Sequence, residues 1–239
     1  MKKLFLIPVV LYLFVIQSYS QWTPDWDTTY TKTTTSADLS SSIKVKGGNV
    51  YITGSNYDSA TIYTLTTIKY NTSGVQQWKA VYSPSNPIGG GIGINGPQKE
   101  LIDVDGSGNV YVLATISNGT NDDFVTIKYN SSGTQQWVVT YDGSRNDEAG
   151  AIAVDYSGNV YITGGSVSKH GSNWWSDITT ICYNTSGAQQ WLKRFTNSTS
   201  GKNGNDAAWS IILDTNSSHV GAGVYVAGWY DRGNNLPTL

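Results

Sequence analysis

The chain has 239 residues and a formal net charge of −2, and only 13% of its residues are charged. It therefore lacks the basic face that binds nucleic acid by releasing counterions, so nucleic acid is excluded as a predicted partner. Its single cysteine, Cys182, has no partner in the chain, and disulfides cannot hold the fold together. Nine Trp and 16 Tyr residues instead supply large surfaces for packing.

The first 20 residues predict a secretory signal peptide (1–20). Lys2 and Lys3 precede an apolar block over 4–16, and small residues at Ser18 and Ser20 favour cleavage after Ser20. The block is shorter than the roughly 20 apolar residues that a membrane-spanning helix needs. We therefore expect an exported protein, secreted, periplasmic or held at the cell surface, with no transmembrane anchor after cleavage.

The remainder, 21–239, predicts a single repeat domain, because four short marks recur in a constant order. Mark a is an apolar triplet that begins with Ile, and mark b is the run "NVYIT" or a close variant of it. Mark c is "TIKY" or "TICY", and mark d is a Trp followed four residues later by an aromatic residue. Each mark is rich in β-branched or aromatic residues and is bounded by turn residues, which is typical of β-strands.

A lone mark d at Trp26 comes first, within an orphan outer strand predicted over 22–35. The predicted blades follow as blade 1 over 36–97, blade 2 over 98–146, blade 3 over 147–204 and a partial blade 4 over 205–239. Successive copies lie about 50 to 64 residues apart, a spacing typical of four-stranded propeller blades. We therefore expect an all-β fold, a β-propeller of four-stranded antiparallel blades.

The predicted ring is incomplete. Marks a, b and d each occur four times, but mark c occurs three times, and the sequence ends soon after the fourth mark b. We interpret the chain as a truncated copy of a longer propeller protein. On this interpretation its open edge strands promote self-association.

The repeat resembles a known family. "AIAVDYSGNVYITG" (151–164) followed by "TTICYNTSGAQQW" (179–191) is similar to the SBBP-type β-propeller repeat of exported and cell-surface bacterial proteins. The resemblance covers nearly all of the chain after the signal peptide, and three copies share the spaced marks. It implies a propeller fold and an exported location. One departure is "TNSSHVGAG" in the fourth copy, where the others have a tight turn.

The turn between strands c and d is the most repetitive part of the chain. "YNTSGVQQW" (70–78) returns as "YNSSGTQQW" and "YNTSGAQQW". Its Asn and Ser can bond their own backbone, and its Gly turns the chain. We predict that its Trp and Tyr pack between neighbouring blades. These predicted inter-blade residues are Trp78, Trp137, Trp191, Tyr70, Tyr129 and Tyr183.

The turn between strands a and b resembles the start of a calcium loop. In "DVDGSGN" (103–109) oxygen-bearing residues alternate as they do in an EF-hand, but Ala114 stands where that loop needs its last acidic ligand. We therefore predict a plain turn in which an Asp carboxylate accepts backbone N–H groups.

The two ends of the predicted blades differ. Because successive strands alternate in direction, the a–b and c–d turns share one end, which we call the repeated rim. The b–c and d–a loops share the other end, the variable rim, and they differ in length and composition from copy to copy. Variable loops on a rigid scaffold commonly carry binding, so the variable rim is the predicted surface for a protein or glycan partner.

Five residues of the variable rim are candidate ligand-binding residues. Asp38, Asp147 and Asp206 each stand five residues before the Ile of strand a, whereas the second copy has Pro97 there. Such carboxylates hold a cation or polar ligand if they converge, and otherwise cap backbone N–H groups of their loops. Adjacent Trp residues predict either a sugar-stacking platform or burial under the loop, and these are Trp174 and Trp175.

No catalytic residue, metal site or cofactor is predicted. The sequence has no visible nucleophile–base pair or metal-ligand spacing, and His170 and His219 stand far apart. We therefore expect a non-enzymatic binding scaffold. The alternative is a propeller enzyme, a hydrolase, lyase or quinoprotein-like protein, whose site is incomplete in this chain.

Overall fold

The computed structural model describes residues 37–57, 63–84, 99–196, 204–214 and 223–230, with the backbone alone at 37–39, 57 and 63. The predicted signal peptide, the orphan strand with Trp26, and the positions of Pro97 and His219 lie outside the described residues. Within the described ranges, no helix is long and apolar enough to cross a membrane.

The described strands form three four-stranded sheets and one two-stranded sheet. Sheet 1 consists of β1 (Ala37–Lys46), β2 (Asn49–Tyr57), β3 (Tyr63–Tyr70) and β4 (Gln76–Tyr82). Sheet 2 consists of β5 (Ile102–Val104), β6 (Val110–Ser117), β7 (Asp122–Tyr129) and β8 (Gln135–Tyr141). Sheet 3 consists of β9 (Asp147–Val154), β10 (Val160–His170), β11 (Asn173–Tyr183) and β12 (Gln189–Phe195). Sheet 4 consists of β13 (Asp206–Leu213) and β14 (Val224–Tyr230).

Within each sheet the strands follow chain order, and every neighbouring pair is antiparallel. The prediction of an all-β chain built from four-stranded antiparallel sheets is therefore confirmed. Marks a to d become the first to fourth strands of each four-stranded sheet, because each mark is a short β-branched or aromatic run between turn residues.

The sheets pack face to face in chain order. Strand β5 contacts sheet 1 through β1 and β2, and β9 contacts sheet 2 through β5, β6 and β7. Strand β13 contacts sheet 3 through β9, β10 and β11. The first strand of each sheet therefore packs against the sheet before it.

Sheet 2 is buried on both faces, and the alternation along β6 explains how. Val110 and Val112 belong to a cluster with residues of sheet 1, whereas Tyr111 and Leu113 belong to a cluster with residues of sheet 3. Successive strand side chains point to opposite faces, so a continuous apolar run suits a strand that lies between two sheets.

The c–d turns are built by their own side chains. The Oδ1 atom of Asn130 accepts hydrogen bonds from the N–H groups of Ser132 and Thr134 at 3.0 and 2.9 Å. Asn71 and Asn184 make the equivalent pairs of bonds in sheets 1 and 3. Gly133 has a φ of 83°, which a residue with a Cβ adopts only with strain.

The same turns join neighbouring sheets. Trp78 Nε1 of sheet 1 donates to the Ser131 carbonyl of sheet 2 at 3.0 Å, and Trp137 Nε1 of sheet 2 donates to the Thr185 carbonyl of sheet 3 at 3.0 Å. A Cβ added at Gly133 would lie 2.7 Å from Trp78 Cδ2. The glycine thus serves the turn and also leaves space for the indole of the preceding sheet.

The remaining predicted inter-blade residues occupy four separate places in the packing. The ring of Tyr129 lies 6.3 Å from that of Trp78, between sheets 1 and 2. Tyr183 belongs to the cluster between sheets 2 and 3. Trp191 packs against a cluster that includes Ile211 of sheet 4, and Tyr70 lies in a cluster within sheet 1.

The a–b turn of sheet 2 is held by one carboxylate. Asp105 accepts the N–H groups of Ser107 and Asn109 at 2.8 and 2.9 Å, and the Tyr111 hydroxyl at 3.0 Å. Burial alone would raise the pKa of Asp105, but these hydrogen bonds outweigh it and hold the pKa below its ordinary value. The Asp105 carboxylate therefore stabilises the turn as a hydrogen-bond acceptor. This is the role predicted from Ala114, which stands where a calcium loop needs its last acidic ligand.

Candidate binding site on the variable rim

The three aspartates that stand five residues before the Ile of strand a lie at equivalent positions, at the starts of β1, β9 and β13. Asp147 pairs in register with Ser166, and Asp206 pairs with Tyr230. For Asp38 the structure describes only the backbone, which is paired with Asn56. Asp147 and Asp206 are both buried.

The structure brings Asp147 together with two acids that the sequence analysis did not select. Asp123, Asp142 and Asp147 each place a carboxylate oxygen within 4.8 Å of the others, and we call these three residues the acid cluster. Asp123 lies near the start of β7, Asp142 follows β8, and Asp147 begins β9. A signal was present in the sequence, because the loops "SNGTNDD" (117–123) and "DGSRNDE" (142–148) of the same repeat are both rich in Asn and Asp.

The two loops of the acid cluster are joined mainly by Asn121. Its Nδ2 atom lies 2.9 Å from Asp123 Oδ1, 3.3 Å from Asp142 Oδ1 and 3.2 Å from the Arg145 carbonyl oxygen. Asn118 Nδ2 also donates to Asp123 Oδ2 at 2.9 Å. The b–c loop and the d–a loop of sheet 2 therefore form one connected surface.

The carboxylate of Asp147 is the most strongly perturbed member of the acid cluster. Its exposed fraction is 0%, and burial raises its pKa to about 6, although neighbouring donors partly offset this effect. The Ser166 hydroxyl and the Gly143 N–H, which donates to Oδ2 at 2.8 Å, both lower this pKa, whereas the buried Oδ1 atom has no partner within hydrogen-bond geometry.

The pKa of Asp123 is raised as well. Burial is the main cause; the hydrogen bond from Asn118 opposes it, and the negative charges of Asp142 and Asp122 add to it. The two loops therefore hold several carboxylates close together and partly shielded from water.

A cavity of about 380 Å³ opens between the two loops. It is lined by Thr120, Asn121, Ser144, Arg145, Asn146 and Val167. Most of these side chains carry hydroxyl, amide or guanidinium groups, so the lining offers both donors and acceptors of hydrogen bonds. Ser144 has a φ of 73°, a left-handed conformation that is uncommon outside glycine and that often accompanies binding sites.

The two adjacent tryptophans of β11 lie differently from each other. Trp174 is 41% exposed, and the guanidinium carbon of Arg145 lies 3.9 Å from its ring centroid. Trp175 is half-buried. Because successive strand side chains point to opposite faces, the two indoles do not lie side by side as one platform. Trp174 alone is linked to the cavity, through Arg145.

A second polar cluster lies on sheet 3 and contains Ser, His and Asp side chains. His170 Nε2 lies 2.9 Å from Ser168 Oγ and 3.1 Å from Asp177 Oδ2, and the Ser168 hydroxyl donates to the same Asp177 oxygen. In a catalytic triad the serine and the aspartate contact opposite ring nitrogens. Here both contact Nε2, so the serine is not paired with an activating base.

The second polar cluster also contains an arginine that joins sheets 2 and 3. Arg194 Nη1 lies 3.6 Å from Asp177 Oδ2, and Nη2 donates to the Tyr141 hydroxyl at 2.6 Å and to Ser166 Oγ at 3.0 Å. No role is predicted for His170 from the sequence, although strand alternation places Ser168 and His170 on one face of β10.

Comparison with known proteins adds no identity to this geometry. No protein-family model matches the chain, and a search of curated proteins found no match.

Proposed function

We propose that the chain is an exported β-propeller protein of the SBBP type that acts as a non-enzymatic scaffold and binds a glycan on its variable rim. The serial face-to-face packing of four-stranded antiparallel sheets supports the propeller architecture. The Trp bonds from one sheet to the turn of the next support it too, since they repeat between sheets 1 and 2 and between sheets 2 and 3.

The observation that carries the proposal is the cavity of about 380 Å³ between the b–c and d–a loops of sheet 2. The turns of the repeated rim are occupied by their own hydrogen bonds and by contacts with the neighbouring sheet. The loops of the variable rim instead enclose open space with polar groups around it. Concave sites with a few well-placed polar groups are the usual ligand sites of proteins.

A glycan suits the cavity better than an apolar ligand does. Its lining offers amide, hydroxyl and guanidinium groups, which match the hydroxyl groups of a sugar. The indole of Trp174 contacts the lining residue Arg145, is 41% exposed, and offers a flat apolar surface for a sugar ring. Arg145 lies between the two, because it lines the cavity and stacks on Trp174.

The alternative of a propeller enzyme receives less support. Among the described residues, the Ser168, His170 and Asp177 contact does not provide the serine with a separate base. The acid cluster has two raised carboxyl pKa values but no neighbouring nucleophile with an activating base.

A glycan array with the full exported chain tests the proposal. We expect binding to one class of glycan, and we expect Arg145→Ala and Trp174→Ala each to weaken it at least tenfold, because one lines the cavity and the other supplies its aromatic face. Trp175→Ala is the matched control and should retain binding, since it removes an adjacent indole that points to the other face of β11.

Two results would overturn the glycan proposal. One is an absence of glycan binding, and the other is glycan binding that Arg145→Ala and Trp174→Ala leave unchanged. Capture of one defined protein partner that is lost in the same two variants would assign the rim to protein recognition instead.

A further inference from the structure

The acid cluster has the composition of a metal site, and we propose that Asp123, Asp142 and Asp147 bind one Ca²⁺ ion that clamps the two loops of sheet 2 together. The three carboxylate oxygens lie within 4.8 Å of one another. Calcium–oxygen bonds are about 2.3–2.6 Å long, so ligand oxygens on opposite sides of one ion lie about 5 Å apart. The spacing therefore suits a single shared ion.

A buried oxygen without a partner points to the same ion independently. Asp147 is fully buried and contributes one of its oxygens to the acid cluster, and its Oδ1 atom makes no hydrogen bond. Buried polar atoms in proteins nearly always have a partner, and an orphaned one calls for an explanation such as a bound ion. A cation between Asp147 and the other two acids provides that partner.

The acid cluster has no direct ion pair with the protein among the described residues, although the charge of Arg194 lowers the pKa of Asp147 from a distance. Among the described residues, none of its three carboxylates forms an ion pair with a Lys, Arg or His side chain within 4.0 Å. The guanidinium of Arg145 stacks on Trp174, and Arg194 pairs with Asp177. A divalent cation supplies the missing positive charge.

The equivalent place in sheet 3 shows what happens when the protein supplies the cation itself. Asp177 stands six residues before the last residue of β11, as Asp123 does in β7. Arg194, three residues after Trp191, pairs with Asp177. The residue three places after Trp137 in sheet 2 is Thr140, which carries no charge. Sheet 2 therefore retains the acid but lacks the built-in cation.

One further oxygen lies beside the acid cluster. Asn121 Nδ2 donates to oxygens of Asp123 and Asp142 and to the Arg145 carbonyl oxygen, all within 3.3 Å, so these oxygens surround one point. In the calcium-bound chain the ion takes the place of this Asn121 amide group among the oxygens. The Arg145 carbonyl then joins the three carboxylates as a ligand.

This ligand set favours calcium over other divalent metals. All the donors are oxygens, which excludes the sulfur and imidazole ligands that transition metals prefer. Magnesium keeps several waters and usually binds one or two carboxylates, whereas calcium accepts a cage of several carboxylates and carbonyls. The inference does not depend on the proposed glycan, because the cation would order the loops whether or not a ligand enters the cavity.

Calorimetric titration of the EDTA-treated full chain with CaCl₂ tests the site. We expect about one ion per chain with a Kd of roughly 10⁻⁵ to 10⁻³ M, which runs from the weakest sensor sites to the extracellular calcium sites. Saturating CaCl₂ should raise the melting temperature by roughly 5 °C, because the ion binds the folded state. Failure to detect binding in the parent chain up to 10 mM CaCl₂, a limit about tenfold above that range, would overturn the inference.

Two variants and a matched control locate the ion. Asp142→Asn removes an exposed carboxylate, so the chain should fold normally while its calcium affinity falls at least tenfold. Asp147→Asn should abolish binding without lowering the melting temperature in EDTA, because a neutral amide is easier to bury than a carboxylate. Glu100→Gln removes an exposed acid elsewhere and should bind as the parent does. Unchanged affinity in Asp142→Asn would place the ion elsewhere, and an equal response to MgCl₂ would refute the assignment to calcium.

Discussion

The two rims of the stacked sheets use the same repeat in opposite ways. On the repeated rim, Trp78 and Trp137 make the same indole-to-carbonyl bond to the next sheet. On the variable rim, Asp123 and Asp177 occupy the same place in the repeat, but the first lies in the acid cluster and the second pairs with Arg194.

This contrast shows how one scaffold keeps the contacts between sheets separate from its binding surface. A contact that is needed between every pair of sheets uses identical residues, because the geometry of the interface recurs. A loop surface is not required to match its neighbour, so single changes such as Thr140 in place of Arg194 alter its charge without disturbing the sheets.

The largest expected effect comes from breaking the ion pair of sheet 3. Arg194→Met leaves the buried carboxylate of Asp177 without its arginine, and it also removes donors to Tyr141 and Ser166. We expect the free energy of unfolding to fall by about 3 kcal/mol, measured by urea denaturation. Lys193→Met is the matched control on the adjacent exposed residue and should change it by less than about 0.5 kcal/mol.

The Asp177→Asn exchange in the Arg194→Met background sharpens this test. It removes the buried charge that has lost its arginine and should restore part of the lost stability. If Arg194→Met unfolds with the same midpoint as the parent, the pair does not stabilise sheet 3.

A second prediction concerns the repeated rim. Gly133→Ala places a Cβ 2.7 Å from Trp78 at a φ of 83°, so both the turn and the inter-sheet contact are strained. We expect a loss of about 2–3 kcal/mol in the free energy of unfolding. Gly171→Ala is the control, because Gly171 also has positive φ but a Cβ there meets nothing within 4 Å.

The glycine control should lose only about 1 kcal/mol, the strain of the turn itself. Equal losses in the two variants, compared by thermal and urea unfolding, would show that the Trp78 contact adds nothing to the turn strain.

A third prediction concerns a variant in which sheet 2 carries an arginine at the place of Arg194 in sheet 3. Thr140→Arg supplies a cation at the place that Arg194 holds one repeat later. We expect stability in EDTA to rise by about 1 kcal/mol and the calcium-induced rise in melting temperature to shrink by at least half. Thr140→Gln adds length without charge and is the control. A full calcium response in Thr140→Arg would argue against a shared site for the two cations.

The smallest expected effect is an acid dependence of the repeated rim. The pKa of Asp105 in the folded chain is lower than its ordinary value of 3.8, so its ionised form stabilises the fold. This contribution is fully present above about pH 4 and is lost as the pH falls through the lower folded pKa. Asp105→Asn should therefore show a shallower loss of stability below pH 4 than the parent in urea titrations, and parallel curves would contradict it.

Much of the candidate site could not be predicted from the sequence. Asp147 is predicted because it recurs at one repeat position, and Trp174 because it stands next to Trp175 as a pair of adjacent aromatic residues. Asp123 and Asp142 were missed, since neither recurs in every copy and their meeting depends on two loops that lie about 20 residues apart in the chain. Arg145 is not among the predicted site residues, although its position against Trp174 is what links that indole to the cavity.

The strands, their antiparallel order and the chemistry of the turns follow from local sequence patterns. Those properties depend on neighbours within a few residues: alternating side chains define a strand, and Asn130 folds its own turn with Ser132 and Thr134. Only the tertiary structure decided which loops meet, which acid acquires Arg194 and which oxygen of Asp147 is left without a donor. These outcomes depend on how the sheets stack, and no local pattern encodes a distance between separate loops.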